Sequence, residues 1–469
     1  MAGLTNTIGR KTAEKIIDSS LNSFEEDPQK AMLKLLDYGQ KMNVFDDKKF
    51  EDAKKNVENM DHKWVKMAFD VYEHTDKNIL KQTALNAGYQ AGLYGSLVQR
   101  KIRKRLGTNV PWTILFDPTS ACNLKCTGCW AAEYGHKLNL TFEEMDDIVT
   151  QGKELGCYFY LLTGGEPLVR KDDLIRLCEK HNDCGFHAFT NGTLIDKEFC
   201  EEVKRVGNLS FAVSLEGFEE ANDFRRGEGV FDKVVKAMEL MREEGLLFGI
   251  AVCYTSKNYK TVTSDEFLQF VQDKGARLAW FFHYMPVGKD AAVDLMLKPD
   301  QRKYMIHRIR EIRKDPDGFQ LFPIDFQNDG EFINGCIAGG KNYLHINANG
   351  DVEPCVFIHY SSANIRDTSI KDALAQPLFR QYQQNQPFNE NHFRPCPMLE
   401  NPEFLRHMVE TSQAHSTDLI ANESAEELCA KCDAYSEEWR PMAEEIWREY
   451  HPDWDQEKIN KKDHTIVRK

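Results

Sequence analysis

Hydrophobic positions along the chain change their period near residue 106. Between residues 4 and 106, apolar residues recur at spacings of three and four, as in 31–42 and 79–106. This spacing places apolar side chains on one face of a helix. The pattern predicts an N-terminal helical region over residues 1–106.

From Pro111 onward, short apolar runs alternate with polar segments of helical period. A buried strand followed by an amphipathic helix is the repeating unit of a parallel α/β sheet. Six strands are predicted, at 112–116, 158–162, 186–190, 209–215, 248–254 and 278–284. The helices between and after them are predicted at 141–155, 171–181, 196–206, 230–245, 264–274 and 299–313. Residues 107–317 therefore predict an incomplete (βα)6 barrel, with its chemistry at the carboxyl ends of the strands.

The alternation stops after residue 318. Residues 343–346 and 351–357 flank Asn349-Gly350, and this pattern predicts a β-hairpin because Asn-Gly favours positive φ in a tight turn. We expect a small α+β domain over 318–436. Residues 437–469 are predicted to hold one helix, 437–450, and a frayed polar tail.

Length and charge narrow the function classes. The chain has 469 residues, which exceeds the size of one hydrophobic core, and a formal net charge of −14, which argues against broad nucleic-acid binding. No stretch approaches the roughly 18–20 apolar residues of a membrane span. The first residues lack the apolar segment of a secretory signal, so we expect a cytoplasmic protein. In that reducing compartment, 13 cysteines suggest metal ligands or catalytic thiols before disulfides.

Three cysteines, Cys122, Cys126 and Cys129, lie within eight residues after the first predicted strand. Three thiolates on one loop can hold three irons of a [4Fe-4S] cube and leave the fourth iron open. The alternatives are three ordinary cysteines or a structural zinc loop, which needs a fourth ligand; His136 is the nearby candidate.

The loop resembles the CxxxCxxC signature of the radical S-adenosylmethionine (SAM) superfamily. Gly164-Gly165-Glu166-Pro167, after the second strand, is similar to the family's GGEP motif, whose backbone and Glu support the methionyl amine of SAM. Asn191 ends the third strand. Ser214-Leu215-Glu216-Gly217 ends the fourth and resembles a segment that contacts the ribose or methionine of SAM. The resemblance implies that these residues bind the cofactor.

Two further positions bear on the resemblance. Arg225-Arg226-Gly227 resembles an element whose Arg pairs with the SAM carboxylate, and the register favours Arg226; a solvated charge pair at a helix entrance is the alternative. The chain departs from the family at Gly128, where an aromatic residue near adenine is common, and Trp130 follows the third cysteine.

A second set of cysteines lies in the C-terminal part of the chain. Cys336 and Cys355, with the predicted turn between them, resemble the opening of a SPASM or twitch domain, although the full SPASM run CxxCxxxxxC is absent. The resemblance implies one auxiliary [4Fe-4S] cluster with ligands Cys336, Cys355, Cys429 and Cys432, and Cys396 as a competitor. A zinc site made from the same thiols is the alternative.

The resemblance implies an α/β fold, a partial (βα)6 TIM-like barrel of the radical SAM type. It also implies an oxidoreductase that cleaves SAM to a 5′-deoxyadenosyl radical, which abstracts hydrogen from a substrate. We expect a peptide or protein substrate, as in maturases. The alternatives are an enzyme acting on a lipid or small metabolite, a methyltransferase, and a non-catalytic iron–sulfur electron carrier or scaffold. A low-potential reductant such as flavodoxin or ferredoxin is the implied partner.

The sequence is compatible with two roles for each of two further segments. The predicted helix 79–106 carries small residues and ends in the basic run 100–105, so it offers either a peripheral membrane contact or packing across the barrel. His283 and Tyr284 end the sixth predicted strand, where they either reach the reaction chamber as relays or pack in the core.

Overall fold

A computed structural model describes residues 2–41 and 47–453 of the chain. The predicted frayed tail lies almost wholly beyond residue 453, outside the described residues. Eleven strands are described: β1 Thr113–Phe116, β2 Phe159–Leu162, β3 Gly185–Thr190, β4 Leu209–Ser214, β5 Phe248–Tyr254, β6 Leu278–His283, β7 Phe322–Asp325, β8 Tyr343–Ile346, β9 Val352–Glu353, β10 Tyr360–Ser361 and β11 His415–Ser416.

The helices surround and extend this set of strands. They are α1 Ala2–Glu26, α2 Pro28–Lys41, α3 Asp47–Glu58, α4 Lys63–His74, α5 Lys77–Thr83, α6 Ser96–Leu106, α7 Phe142–Leu155, α8 Lys171–Lys180, α9 Lys197–Val206, α10 Glu219–Arg226, α11 Val230–Glu243, α12 Asp265–Asp273, α13 Pro299–Lys314, α14 Ile370–Ala373, α15 Pro377–Asn385, α16 Pro402–Ser412 and α17 Ala425–Tyr450. A π-helix, Ala84–Gly95, joins α5 to α6. Short 3₁₀ turns occur at Trp130–Tyr134, Pro167–Arg170, Thr261–Thr263, Val293–Leu295 and Gly330–Ile333.

Nine strands form one sheet in the order β7-β6-β5-β4-β3-β2-β1-β8-β9. All neighbouring pairs from β7 to β8 are parallel, and β9 returns antiparallel to β8. The predicted partial barrel is confirmed, and β1–β6 lie where the hydrophobic runs predict them. Helices pack on the outer face because each buries one apolar stripe, as α7 does with Met145, Ile148 and Val149.

The predicted total of six barrel strands is too small. Strand β7 escaped prediction because its sequence, Phe-Pro-Ile-Asp, is only four residues long and contains a proline. The predicted hairpin is present as β8 and β9, but β8 also pairs in parallel with β1, with Ile114 opposite Leu344. The sheet therefore continues across the predicted boundary at residues 317 and 318.

The predicted start of the last helix at Glu437 is wrong. Helix α17 begins at Ala425, because the hydroxyl of Ser424 accepts from the amide of Glu427 while the Glu427 carboxylate accepts from the amide of Ser424. Both cysteines of the Cys429–Cys432 pair therefore lie on this helix, one turn apart.

The N-terminal helices pack against loops that precede the strands. Asn78 donates to the carbonyl oxygen of Lys204 before β4, and Asn86 donates to that of Cys184 before β3. A Cβ on Gly95 would lie 2.4 Å from the carbonyl oxygen of Gly156, so the small residue permits close helix packing. Packing across the barrel is thus confirmed for the 79–106 segment.

The basic end of that segment faces outward. Its exposed residues are Arg100, Lys101, Lys104 and Arg105. Within residues 2–41 and 47–453, no helix is long and apolar enough to cross a bilayer.

Candidate active site

A cavity of about 820 Å³ lies inside the barrel and is hereafter called the chamber. Alternate strand residues form its wall, such as Phe159 and Leu161 on β2 and Trp280 and Phe282 on β6, because successive side chains of a strand point to opposite faces. Most of the predicted site residues line its end at the carboxyl ends of the strands: Cys122, Cys126, Cys129, Gly164, Gly165, Glu166, Asn191, Ser214 and Arg226.

The three predicted cluster cysteines lie on the loop between β1 and the turn that starts at Trp130. Their thiols are half-buried and line the chamber. Burial, helped by charge on Glu166, Cys129 and Cys126, raises the pKa of Cys122 to about 11. Burial likewise raises the pKa of Cys126. Metal binding would release these protons, since thiolates are the ligands of iron.

Two glycines let the loop after β2, hereafter the second loop, pack closely against the cysteine loop. A Cβ on Gly165 would lie 2.2 Å from the carbonyl oxygen of Ala121, and one on Gly164 would lie 2.3 Å from that of Thr119. The amides of Gly165 and Glu166 donate to these same two oxygens. The glycines are therefore required by loop-to-loop contact.

The Glu166 side chain ties this second loop to the end of β3. Its carboxylate is buried and accepts hydrogen bonds from the Thr190 hydroxyl at 2.6 Å and the Asn191 amide at 2.7 Å. Burial raises the pKa of Glu166. The Asn191 side chain donates to Asn123 of the cysteine loop at 2.8 Å. Pro167 starts the following 3₁₀ turn behind the chamber wall.

A buried carboxylate organises the two arginines of the predicted Arg-Gly element. Glu216 is fully buried and lies outside the chamber lining. Its carboxylate accepts from Arg225 at 2.6 Å, from two nitrogens of Arg226 at 2.9 and 2.5 Å, and from the Cys253 amide at 2.9 Å. Both guanidinium groups line the chamber, and Nη1 of Arg226 lies 4.0 Å from Sγ of Cys126. The solvated-pair alternative is therefore wrong.

The second cysteine set surrounds a buried phenol. Burial raises the pKa of Tyr382, and so do charges on the neighbouring thiols of Cys336, Cys355, Cys396 and Cys429. The hydroxyl of Tyr382 has no hydrogen-bond partner among the described residues. An iron–sulfur cluster with acceptor sulfurs would fit this position. Cys432 lies beside Cys429. Burial is the largest cause that raises the pKa of the Cys432 thiol, and charge on Cys429 is the next.

Comparison with known families decides the class of protein. The family model of the Radical SAM superfamily matches residues 116–273, which include the first cysteine set and its neighbouring loops. A second model, SPASM, described as an iron–sulfur cluster-binding domain, matches residues 336–398. The chain therefore carries a radical SAM domain over residues 116–273 and a SPASM domain over residues 336–398.

Named relatives are similar to this radical SAM protein over part of its length. An AdoMet-dependent heme synthase of Methanosarcina barkeri is 25% identical over 292 residues, which cover 56% of this chain and 82% of the relative. The mycofactocin maturase MftC of Mycobacterium tuberculosis is 27% identical over 273 residues, covering 55% of this chain and 68% of the relative. The predicted enzyme class is thus confirmed.

A solved structure shares the fold. Streptococcus suis SuiB bound to S-adenosylmethionine aligns with a TM-score of 0.53 and 19% identity, over 73% of this chain and 82% of that chain. The two domain models support the predicted cofactors, a [4Fe-4S] cluster with SAM in the radical SAM domain and an auxiliary iron–sulfur cluster in the SPASM domain.

Both cysteine sets supply thiols, the side chains that iron–sulfur clusters favour as ligands. Among residues 2–41 and 47–453, no three His, Cys, Asp or Glu side chains form a group that could hold one metal ion. A cube distributes its ligands over several irons, so its thiols do not share one centre. In the auxiliary set, the Tyr343 hydroxyl donates to Sγ of Cys355 at 2.6 Å, and Sγ of Cys396 accepts from two backbone amides at 3.4 Å.

Tyr284, which the sequence left either in the chamber or in the core, lines the chamber and contacts the cysteine loop, a contact that was not predicted. The ring occupies the space beside Gly128, where a Cβ would lie 2.4 Å from the Tyr284 hydroxyl oxygen and 2.7 Å from Cε2. The Tyr284 hydroxyl accepts from the Ala292 amide at 3.0 Å. The Tyr284 ring, from the end of β6, thus lies beside Gly128, the position at which the cysteine loop itself has no aromatic side chain. The signal available in the sequence was the small residue at 128.

The neighbouring His283 is fully buried and lines the chamber. Its ring nitrogens contact the Tyr284 carbonyl oxygen at 2.7 Å and the Tyr435 hydroxyl at 3.3 Å. Burial lowers the pKa of His283 to about 3, so the ring is neutral at physiological pH. Cys253, interpreted from the sequence as a structural thiol, also lines the chamber, and burial raises its pKa to about 11.

Proposed function

We propose that this enzyme cleaves SAM reductively and abstracts hydrogen from a substrate held in the chamber. Cys122, Cys126 and Cys129 would hold three irons of the [4Fe-4S] cluster and leave the fourth for SAM. The cluster, when bound, supplies one electron to the SAM sulfonium, which yields methionine and a 5′-deoxyadenosyl radical. The observation that carries the proposal is the convergence of three half-buried thiols and two arginines on one cavity.

SAM would lie between the cysteine loop and the ends of β2–β4. We assign its amino group to the Gly164–Pro167 loop, its carboxylate to Arg226, and its ribose or methionine atoms to Asn191 and Ser214. Arg226 is suited to a carboxylate because its guanidinium lines the chamber close to Cys126. Glu216 already accepts from four donors, so we assign it the role of a positioning residue for both arginines.

Tyr284 would supply the aromatic surface that the cysteine loop lacks. Its ring lies against Gly128 and lines the chamber. We therefore propose that the adenine of SAM lies near this ring, where an aromatic face favours stacking.

The auxiliary cluster would be held by four of five cysteines: Cys336, Cys355, Cys396, Cys429 and Cys432. Four of them surround the Tyr382 ring, and the fifth is one turn from Cys429 on α17. We also propose a low-potential flavodoxin or ferredoxin as the reductant and the cytoplasm as the location of the enzyme. Each cleavage of SAM consumes one electron from the cluster, so an external one-electron reductant must replace it.

Two observations favour different substrate classes. The mycofactocin maturase favours the predicted peptide or protein substrate, by its name alone. The chamber wall favours an apolar substrate instead, because aromatic and aliphatic side chains dominate it.

Anaerobic reconstitution tests the proposed reaction. The protein is reduced with dithionite and given SAM, and 5′-deoxyadenosine is measured by mass spectrometry. We expect product from the wild type and from Cys178→Ala, a control that removes a buried thiol in α8. We expect none from Cys126→Ala. Product from Cys126→Ala would refute the cluster assignment, and S-adenosylhomocysteine in place of 5′-deoxyadenosine would indicate methyl transfer.

A further inference from the structure

The chamber extends along the barrel axis beyond the space beside the cysteines. Its lining includes Trp112 and Phe159, at the amino ends of β1 and β2, as well as Cys122 and Gly164 beyond their carboxyl ends. A four-residue strand rises by about 13 Å. The chamber therefore runs past the whole length of these strands.

Polarity is distributed unevenly along this path. Charged and hydrogen-bonding groups gather at the cysteine end, whereas the middle is lined by side chains such as Leu115, Leu161, Phe189, Phe282, Ile324 and Phe326. Trp280 also lines the chamber. A guest in the middle of the chamber thus meets apolar surface on most sides.

The far end reaches the protein surface at an apolar rim. The edge strands of the sheet are β7 and β9, so no pairing between these two closes the barrel, and residues 326–342 connect β7 to β8. Phe332 and Phe322 both line the chamber, with 64% and 44% of their surface exposed. We call Phe322, Phe332 and Ile333 the apolar rim. Exposed aromatic side chains at an opening favour an apolar ligand.

We propose that the chamber binds a long unbranched alkyl chain of a lipid, which enters past the apolar rim and reaches towards the cysteine loop. This inference rests on the proposed function and names its substrate class. One C–H bond of the chain would break homolytically and its hydrogen atom would bond to C5′ of the deoxyadenosyl radical, which leaves a carbon radical on the chain. The electron that cleaves SAM comes from the external reductant.

A peptide matches this path less well. Each residue of a peptide carries an N–H and a C=O group that need partners when buried. The middle of the chamber offers few, and the charged pair near the rim is already satisfied, because Arg313 binds both oxygens of Asp329, at 2.7 and 2.5 Å. An alkyl chain has no such requirement and gains from burial along its whole length.

Deuterium transfer is the first test. The reduced holoenzyme receives SAM and either perdeuterated palmitate or vesicles of phosphatidylglycerol with perdeuterated palmitoyl chains. We expect 5′-deoxyadenosine heavier by one mass unit with at least one lipid, and the two arms distinguish a free fatty acid from a membrane lipid. Unlabelled product from both arms, although SAM is cleaved, would overturn the lipid proposal and leave the proposed function intact.

Tryptophan quenching is the second test and does not depend on SAM cleavage. Dibromostearate quenches indole fluorescence on contact, and Trp112 and Trp280 both line the chamber. We expect saturable quenching by dibromostearate that is reduced in Trp280→Phe, with stearate as the blank. Absence of quenching, or quenching that is the same in Trp280→Phe and wild type, would overturn the proposal. If no 5′-deoxyadenosine forms under any condition, the proposed function fails and this assay alone decides the lipid question.

A rim variant locates the entrance. Phe332→Asp puts a charge on the apolar rim and is expected to weaken dibromostearate binding by about tenfold, since it removes part of the burial of one aromatic side chain. The matched control is Leu97→Asp on α6, 55% exposed in the wild type and outside the chamber lining. It is expected to bind as the wild type does. Equal affinity for Phe332→Asp and wild type would refute entry past the rim.

Discussion

At the scale of single residues, the site depends on a buried carboxylate that lies outside the chamber lining. Glu216 is fully buried and binds two guanidinium groups that are themselves about nine-tenths buried. A buried charge is stable only when it is paired and hydrogen-bonded. The sequence predicted Glu216 as a contact residue for SAM. Its residue type and its position after a strand do not reveal which neighbouring groups bind the carboxylate, so its pairing with the two arginines was not predictable.

Glu216→Gln is therefore predicted to disturb both stability and SAM binding. Removal of one partner from a buried pair typically costs about 3–5 kcal/mol. We expect the free energy of unfolding, measured in urea, to fall by that amount. We also expect KM for SAM to rise more than kcat falls, because Arg226 loses its orientation. Glu216→Asp should recover part of the affinity. An unchanged KM in a folded Glu216→Gln protein would contradict the positioning role.

Gly128 provides a second prediction at this scale. Its φ is 64°, and a Cβ there would meet the Tyr284 ring. Gly128→Ala should lower the rate of SAM cleavage by displacing Tyr284, and it should destabilise the protein by more than 1 kcal/mol, roughly the cost of alanine at positive φ. Gly107→Ala is the control, since Gly107 has φ 65° but no atom within 4 Å of the added Cβ. Equal stability losses in the two variants would show that the contact with Tyr284 is unimportant.

At the scale of elements, strong local patterns were predictable and long-range pairings were not. Strands β1–β6 have runs of buried apolar residues that any parallel sheet requires, so their positions followed from the sequence. The position of β8 beside β1 depends on residues more than 200 positions apart, which no local periodicity encodes. Helix α10, which ends in Arg225 and Arg226, also escaped prediction, since it is short and charged.

The cysteines proposed to hold the auxiliary cluster come from several elements, and their role is testable. Cys355 lies just after β9, while Cys429 lies on α17. Cys355→Ala should remove about four irons per chain, the content of one cube, and leave the SAM-binding cluster in place. Iron analysis and electron paramagnetic resonance of the reduced protein measure this. Unchanged iron, or zinc released in place of iron, would refute the assignment.

At the scale of the whole molecule, one buried histidine connects the barrel to the C-terminal part. His345 on β8 contacts Glu353 on β9 at 2.6 Å and Asp117, just after β1, at 3.1 Å. Burial alone would lower the pKa of His345, but Asp117 and Glu353 together raise it to about 10. The protonated ring therefore stabilises the folded protein.

The sign of the pH dependence follows from this upward shift. The stabilisation is fully present below the unfolded pKa of about 6.5 and is lost as the pH rises towards 10. Between pH 7 and pH 10, we expect the wild type to lose more unfolding free energy than His345→Gln, at up to about 1.4 kcal/mol for each pH unit. Urea unfolding at both pH values measures the difference. Parallel losses in the two proteins would contradict it.

The pairing of β8 with β1 also governs the order in which this protein can assemble during synthesis. Strand β1 leaves the ribosome early, yet its partner on one side is translated about 230 residues later. One edge of the nascent sheet must stay unpaired until then, and unpaired edges invite association with other chains. The barrel is complete only after the first hairpin of the C-terminal part has emerged, so a chain truncated before residue 343 would expose that edge of β1 permanently.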